Sequence, residues 1–125
     1  MTQEEKELLL KDLCARLPYR TKILITVDTV EGRMEIDADL TTSTIDYFMS
    51  WAVQPYLRPM YSMSEEEKKE FQACHCVYGW HPDFQPTMCN LANECNMFDW
   101  LITHHFDFRG LIEKGLALEA PEGMY

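Results

Sequence analysis

The sequence predicts an α+β fold, in which three to four helices pack against a small antiparallel sheet of about three strands. Three observations carry this prediction: an amphipathic helical pattern at the start, alternating β-branched residues after position 22, and renewed helical patterns from about residue 64. The 125 residues suffice for one hydrophobic core. We therefore expect a single domain, 1–125, with an N-terminal helix, a sheet at about 22–53 and a helical part at about 64–125.

The first expected element is a helix that begins at Thr2. Thr2 and Glu5 match a capping box, in which the threonine hydroxyl accepts a hydrogen bond from the amide three residues later. Apolar residues then recur at helical spacing until Pro18 ends the pattern. They are Leu9, Leu13 and Leu17, with Leu10 and Cys14 beside them. This face should pack against the rest of the chain.

The stretch after the first helix predicts a β-hairpin. Ile23, Ile25 and Val27 alternate along residues 22–30, as is typical of a strand with one buried face. Glu31 and Gly32 provide a turn before a second strand at about 33–37.

A third strand is predicted over residues 43–53. Its alternating residues are Ile45, Tyr47, Met49 and Trp51. Phe48 makes both faces apolar, so the same stretch could instead form a short buried helix. Pro55 and Pro59 predict an extended connection after it.

Helical signals return at a second capping box, Ser64 with Glu67, which predicts a helix to about Ala73. An irregular stretch, "CHCVYGWHPDFQP", follows. A longer helix is expected at about 87–105, and a short one at 108–114 with Gly115 at its C′ position.

The charge argues against nucleic-acid binding. Eleven Lys and Arg against 21 Asp and Glu give a formal net charge of −10, which repels phosphate backbones at long range. No Lys or Arg occurs between Lys69 and Arg109. The five glycines form no phosphate loop, and no catalytic signature surrounds any cysteine.

Nothing at the start of the sequence resembles a signal peptide, and no stretch has the ~20 apolar residues that span a bilayer. We therefore expect a cytoplasmic protein. In that compartment the five cysteines should be free thiols.

The adjacent histidines near the end of the long helix are expected to face different ways. On a regular helix His105 shares an apolar ridge with Phe98 and Ile102, so it should be a core histidine that donates to a backbone carbonyl. His104 should be half-exposed on another side. Neither histidine is assigned a catalytic role, and no other residue is.

A cluster of four residues is the candidate metal site. Cys74, Cys76, His81 and Cys89 have the donor types that tetrahedral zinc prefers. Their spacing is unusual, because a single residue separates the first two cysteines and no second pair follows. Free, partly buried cysteines are the alternative, in which case there is no cofactor.

A candidate interaction surface lies on the side of the long helix opposite the expected core. Met97, Trp100 and His104 share that side, and this composition is enriched in interface cores. The alternative is a helix covered on both sides within the same chain.

The segments "EEKELLLKDLCARLPY", "YLRPMYSMSEEEKKEF" and "DWLITHHFDFRGLIEKGLALEAPEGMY" resemble a group of small uncharacterised proteins encoded by gut anaerobic bacteria and their prophages. The resemblance implies a bacterial or phage origin. It carries no activity, so it transfers no catalytic or binding residue.

The sequence therefore favours a non-enzymatic, prophage-associated accessory protein that acts by binding another protein, in one version as an acidic mimic of nucleic acid. The alternative is a small zinc-binding domain or hydrolase that uses the cysteine–histidine cluster. A third possibility is a homo-oligomer with Trp100 at the contact.

Overall fold

The computed structural model describes residues 1–76 and 97–125, with residues 73–76 described as backbone only. Its sheet has four strands in the order β2-β1-β3-β4. The strands are β1 (Lys22–Thr29), β2 (Gly32–Asp39), β3 (Ala52–Leu57) and β4 (Leu118–Glu119). Two helices, α1 (Gln3–Arg16) and α2 (Glu65–Cys76), and a helical segment at 97–103 complete the fold.

The α+β class is confirmed, with one strand more than predicted. β1 pairs antiparallel with both β2 and β3, whereas β4 pairs parallel with β3, so the sheet is mixed. The sheet also runs past the predicted end at residue 53 and receives its last strand from residues 118–119.

α1 forms where the capping box predicts it. The Thr2 hydroxyl accepts from the Glu5 amide at 3.1 Å, and the helix ends two residues before Pro18. Leu9 and Leu13 are fully buried against the sheet, while Leu10 and Cys14 are exposed at the edge of the stripe. The core contact of α1 is thus narrower than the sequence suggests.

The predicted hairpin is confirmed, with Ile23, Ile25 and Val27 buried on one face of β1. They meet α1 in the larger of two hydrophobic clusters. Its buried residues are Leu9, Leu13, Ile23, Ile25, Val27, Leu40, Val53, Leu57, Leu111, Leu116 and Ala117.

The predicted third strand at 43–53 is wrong over most of its length. Residues Ile45–Met49 form a 3₁₀ helix, as the alternative helical interpretation allowed, and the strand lies at Ala52–Leu57. Side-chain hydrogen bonds explain the difference: the Thr44 hydroxyl donates to the Asp39 carbonyl at 2.7 Å and turns the chain before it can extend.

The strand β3 accommodates Pro55 because of its register. Pro55 lies opposite Ile23. The backbone amide of Lys22 points toward β3, so the backbone N–H and C=O groups of the next residue, Ile23, point toward β2. Pro55, which has no amide hydrogen, therefore removes no hydrogen bond to β1.

α2 begins at a complete capping box. The Ser64 amide donates to Glu67 Oε1 at 3.0 Å, and the Glu67 amide donates to the Ser64 hydroxyl at 3.1 Å. The helix continues to Cys76, three residues beyond the predicted end.

The predicted helix at 108–114 is wrong, since these residues form turns. Gly110 has φ of 72°, which a right-handed helix cannot contain. The Asp107 carboxylate accepts from the amides of Leu111 and Ile112 and holds the turn together. Gly115 nevertheless has the positive φ expected of it, 74°.

Candidate functional site

The histidine pair lies just beyond the helical segment 97–103. The Phe106 amide donates to the Leu101 carbonyl at 2.9 Å, and the His105 amide donates to the Ile102 carbonyl at 3.1 Å. These two bonds form a Schellman motif, in which His105 occupies the left-handed C′ position with φ of 64°. The expectation of a regular helix through His105 is therefore wrong, because the helix has already ended.

This turn sends the two rings to different partners. His104 Nδ1 donates to the Trp100 carbonyl at 2.8 Å, and its ring stacks on that of Trp100 at 4.1 Å between centroids. His105 Nδ1 instead lies 3.2 Å from the Thr21 hydroxyl. The hydrogen bond to a backbone carbonyl that was predicted for His105 is thus made by His104 instead.

His105 packs against Tyr125, with the ring centroids 3.8 Å apart. Burial, assisted by the charges of Arg16, His104 and Arg58, lowers the pKa of His105 to about 4. The ring is neutral at pH 7. His105 is half-buried, as His104 is, so it does not reach the core position predicted for it. The expected ridge is also absent, since Ile102 is buried but Phe98 is exposed.

A buried ionic cluster lies at the end of α1, close to this turn. Asp12 and Arg16 are both fully buried and joined by a 2.8 Å bond. Asp12 also accepts from Arg109 Nε at 3.1 Å, and Arg16 Nη2 donates to the Phe106 carbonyl at 2.7 Å. One carboxylate thus holds two guanidinium groups, and one of these fixes the Schellman turn.

Arg58 connects β3 to α2 and to the same turn. Its guanidinium binds both carboxylate oxygens of Glu67, at 2.7 and 2.8 Å, and lies 4.2 Å from the centre of the Phe106 ring. The hydrogen bonds from Arg58 hold the pKa of Glu67 down at about 2. In the backbone, the Arg58 amide donates to the His105 carbonyl at 2.8 Å.

These groups have a structural role. Thr21 and His105 resemble a hydroxyl nucleophile with its base, yet Thr21 is fully buried and cannot meet a substrate. Asp12 and Arg16 are equally inaccessible. The arrangement positions backbone and does not present a reactive group.

All four side chains of the predicted metal site lie outside the described part of the structure. His81 and Cys89 lie outside the described residues. Cys74 and Cys76 lie in α2, where only their backbone is described. Among the described residues no group of three or more His, Cys, Asp or Glu could hold a metal ion. Zinc binding at these four positions stays a prediction.

The predicted interaction surface is engaged within the chain. Trp100 packs on Phe71 and Phe106, with centroids 5.5 and 5.7 Å apart, in the smaller hydrophobic cluster with Met63 and Leu101. Met97 and His104 are half-buried beside it. Partner binding by Met97, Trp100 and His104 stays a prediction, and these contacts give Trp100 a packing role.

A more accessible apolar surface surrounds the corner between Ile45–Met49 and β3. We call Leu10, Tyr47, Met49 and Trp51 the corner surface; all four are exposed, Met49 to 83%. The rings of Tyr47 and Trp51 lie 5.0 Å apart. Sequence reasoning missed this surface because a strand at 43–53 would have placed Tyr47, Met49 and Trp51 together with Ile45 on one apolar face of the sheet, as in a strand that packs against a core.

Two hollows flank Trp51. One, of about 560 Å³, lies between α1 and the corner and is lined by Leu10, Phe48, Met49 and Trp51. The other, of about 510 Å³, lies over the polar face of the sheet beside Thr26 and Gln54. Trp51 thus forms a ridge between an apolar groove and a more polar one.

Comparisons with known protein families, curated proteins and solved structures found no match to this chain. In the two described parts of the chain, no helix has both the length and the apolar character needed to cross a membrane.

Proposed function

We propose that this protein acts by binding another protein through the corner surface, as an accessory protein of a bacterial mobile element. One observation carries the proposal: three exposed apolar side chains, Leu10, Met49 and Trp51, line a single groove, and the exposed Tyr47 packs on Trp51. Trp, Tyr and Met are residue types enriched at the centres of protein interfaces. Apolar side chains that cluster on a surface are typical of interaction sites, whereas singly scattered ones are common on any monomer.

The chemistry of the groove indicates how the partner is held. Its apolar wall would dock an apolar side chain, and the ridge formed by Trp51 supplies a rigid anchor. Lys6 and Glu7 lie at its edge and carry opposite charges. Binding there should therefore depend weakly on salt, whereas binding by an acidic mimic of nucleic acid would weaken steeply with salt.

Site-specific photocrosslinking in a bacterial host tests this proposal. A photoreactive residue at Met49 is expected to capture one protein reproducibly, and the same residue at the exposed Lys114 is the control. Affinity for the captured protein should fall ~10-fold or more in Trp51→Ala and Met49→Glu.

Val30→Glu is the matched control, because Val30 is also fully exposed and apolar but lies in the hairpin turn. A role for the corner surface would be contradicted if the photoreactive residue at Lys114 captured the same protein as efficiently as the one at Met49. It would also be contradicted if Val30→Glu lost as much affinity as Met49→Glu.

A further inference from the structure

The outer edge of β2 presents unpaired backbone groups. β2 lies at the end of the sheet, and among the described residues none pairs with its outer side. The Leu40 amide donates to the Thr21 carbonyl at 2.8 Å, so residue 40 faces β1. Along an antiparallel strand, the backbone N–H and C=O groups of successive residues point to opposite sides. Those of residues 34, 36 and 38 therefore also face β1, and those of Arg33, Glu35 and Asp37 face outward.

The same strand leaves apolar side chains uncovered. Met34 and Ile36 lie opposite Val27 and Ile25 of β1, on the face that α1 covers. The β1 residues are buried, yet Met34 is 51% and Ile36 is 40% exposed. On this face of the sheet, α1 therefore covers the side chains of β1 but leaves Met34 and Ile36 of β2 uncovered.

We propose that two copies of this chain pair through the edges of their β2 strands and form one continuous antiparallel sheet. The two-fold axis passes through Glu35. This pairing places Arg33 opposite Asp37 of the second copy, and Met34 opposite Ile36 of the second copy, each contact occurring twice.

Neighbouring registers are less favourable. An axis at Ile36 would place Arg33 opposite Asp39 twice, but it would also place Glu35 opposite Asp37 twice. An axis at Met34 would place Arg33 opposite Glu35 twice, but it would pair only residues 32–36 of β2, whereas the axis at Glu35 pairs residues 32–38. Within β2, the axis at Glu35 leaves one like-charge contact, between the two copies of Glu35 itself. Opposite charges and apolar pairs that face each other across strands stabilise a sheet, whereas like charges destabilise it.

The dimer gives the exposed side chains a partner. Met34 and Ile36 from both copies form an apolar strip on the helix side of an eight-stranded sheet. On the other face Arg33, which lies 3.4 Å from Asp28 of its own chain, gains a second carboxylate.

Sedimentation velocity over a wide range of protein concentration tests the proposal. The mass of the wild-type chain should rise from monomer to dimer as concentration increases. Glu35→Thr should tighten the dimer severalfold, because it removes the like-charge contact and keeps the outward amide. Glu35→Pro should abolish it, because proline removes the central hydrogen-bond donor of both copies but none that β1 uses.

A charge exchange provides a second arm if Glu35→Pro fails to fold. Arg33→Asp and Asp37→Arg alone should each weaken the dimer about tenfold, and the double variant should restore most of the loss. Circular dichroism confirms folding of each variant.

A wild-type chain that stays monomeric at every concentration would overturn the proposal. So would a dimer that is unchanged in Glu35→Pro, or charge variants with no effect. Met49→Glu should leave the dimer intact, so failure here is distinct from failure of the corner surface.

Discussion

At the scale of single residues, His105 shows how one backbone angle separates two adjacent side chains. On a helix, neighbours are about 100° apart and both rings would remain on the same element. The positive φ of His105 ends the helix and turns its ring toward Thr21, while His104 stays over Trp100. A left-handed residue with a bulky side chain is strained, and the packing of Tyr125 against the ring helps to hold it there.

The lowered pKa of His105 makes stability depend on pH. The unfolded chain binds this proton more readily than the folded protein does, so the free energy of unfolding should fall as pH drops from about 6.5 to about 4. His105→Asn should flatten this dependence, since asparagine tolerates the left-handed conformation but does not titrate. Chemical denaturation at a series of pH values measures it.

His104→Asn is the matched control and should retain most of the dependence, because burial of the His105 ring, the largest cause of its lowered pKa, is unchanged. The lowered pKa of Glu67 acts in a separate window, in which stability is lost as pH falls from about 4.5 to about 2. An unchanged slope between pH 6.5 and 4 in His105→Asn would contradict the assignment.

At the scale of elements, the features that the sequence predicted well are those set by residues close together in the chain. The two helix starts and the hairpin depend on neighbours within a few positions, and the structure has the Thr2 cap, the full Ser64–Glu67 capping box and the hairpin. The failures depend on distant contacts. β4 consists of two residues that pair with β3 more than 60 positions earlier, and no local pattern marks them.

The candidate sites follow the same division. Side-chain types indicated that Trp100 could mediate binding, but its packing against Phe71 is set by how α2 meets the segment 97–103. The exposure of Trp51 likewise depends on where Thr44 turns the chain. Only the three-dimensional arrangement distinguishes the packed tryptophan from the exposed one.

The ionic cluster at the end of α1 should be sensitive to loss of one partner. Asp12→Ala would leave Arg16 fully buried without its counter-charge, at a cost of about 3–5 kcal/mol in unfolding free energy. The double variant Asp12→Ala with Arg16→Met should lose less than the sum of the single losses, because it leaves no uncompensated buried charge. Denaturant titration of the full cycle measures the coupling.

The exposed pair formed by Lys22 and Asp39 is the control for this cycle. Asp39→Asn should cost less than about 1 kcal/mol, because solvent screens a surface ion pair. A cost of similar size at both positions would show that burial of the cluster is unimportant.

At the scale of the whole molecule, Tyr125 ties the last residues to the sheet. Its hydroxyl accepts from the Lys22 amide at 2.8 Å and donates to the Tyr56 carbonyl at 2.7 Å, where it stands between β1 and β3 in place of their next direct hydrogen bond. Burial raises the pKa of Tyr125 to about 12, so the hydroxyl keeps the proton that it donates.

Tyr125→Phe should therefore destabilise the protein by about 1–2 kcal/mol, because two backbone groups lose their partner while the ring still packs on His105. Thermal and denaturant unfolding measure the loss. Tyr61→Phe, which removes one exposed hydrogen bond to Glu119, should change stability by less than about 0.5 kcal/mol. Equal effects would argue against the bridging role.

Arg58 has a consequence for how the two hydrophobic clusters melt. The Arg58 side chain binds Glu67 of α2 and packs on the ring of Phe106, which belongs to the smaller cluster. The carbonyl of Phe106 in turn accepts a hydrogen bond from Arg16 at the end of α1, the helix that packs in the larger cluster. Pulling α2 away from the sheet would thus also release the end of α1. The two clusters should consequently lose their structure as one cooperative unit, although they share no buried residue.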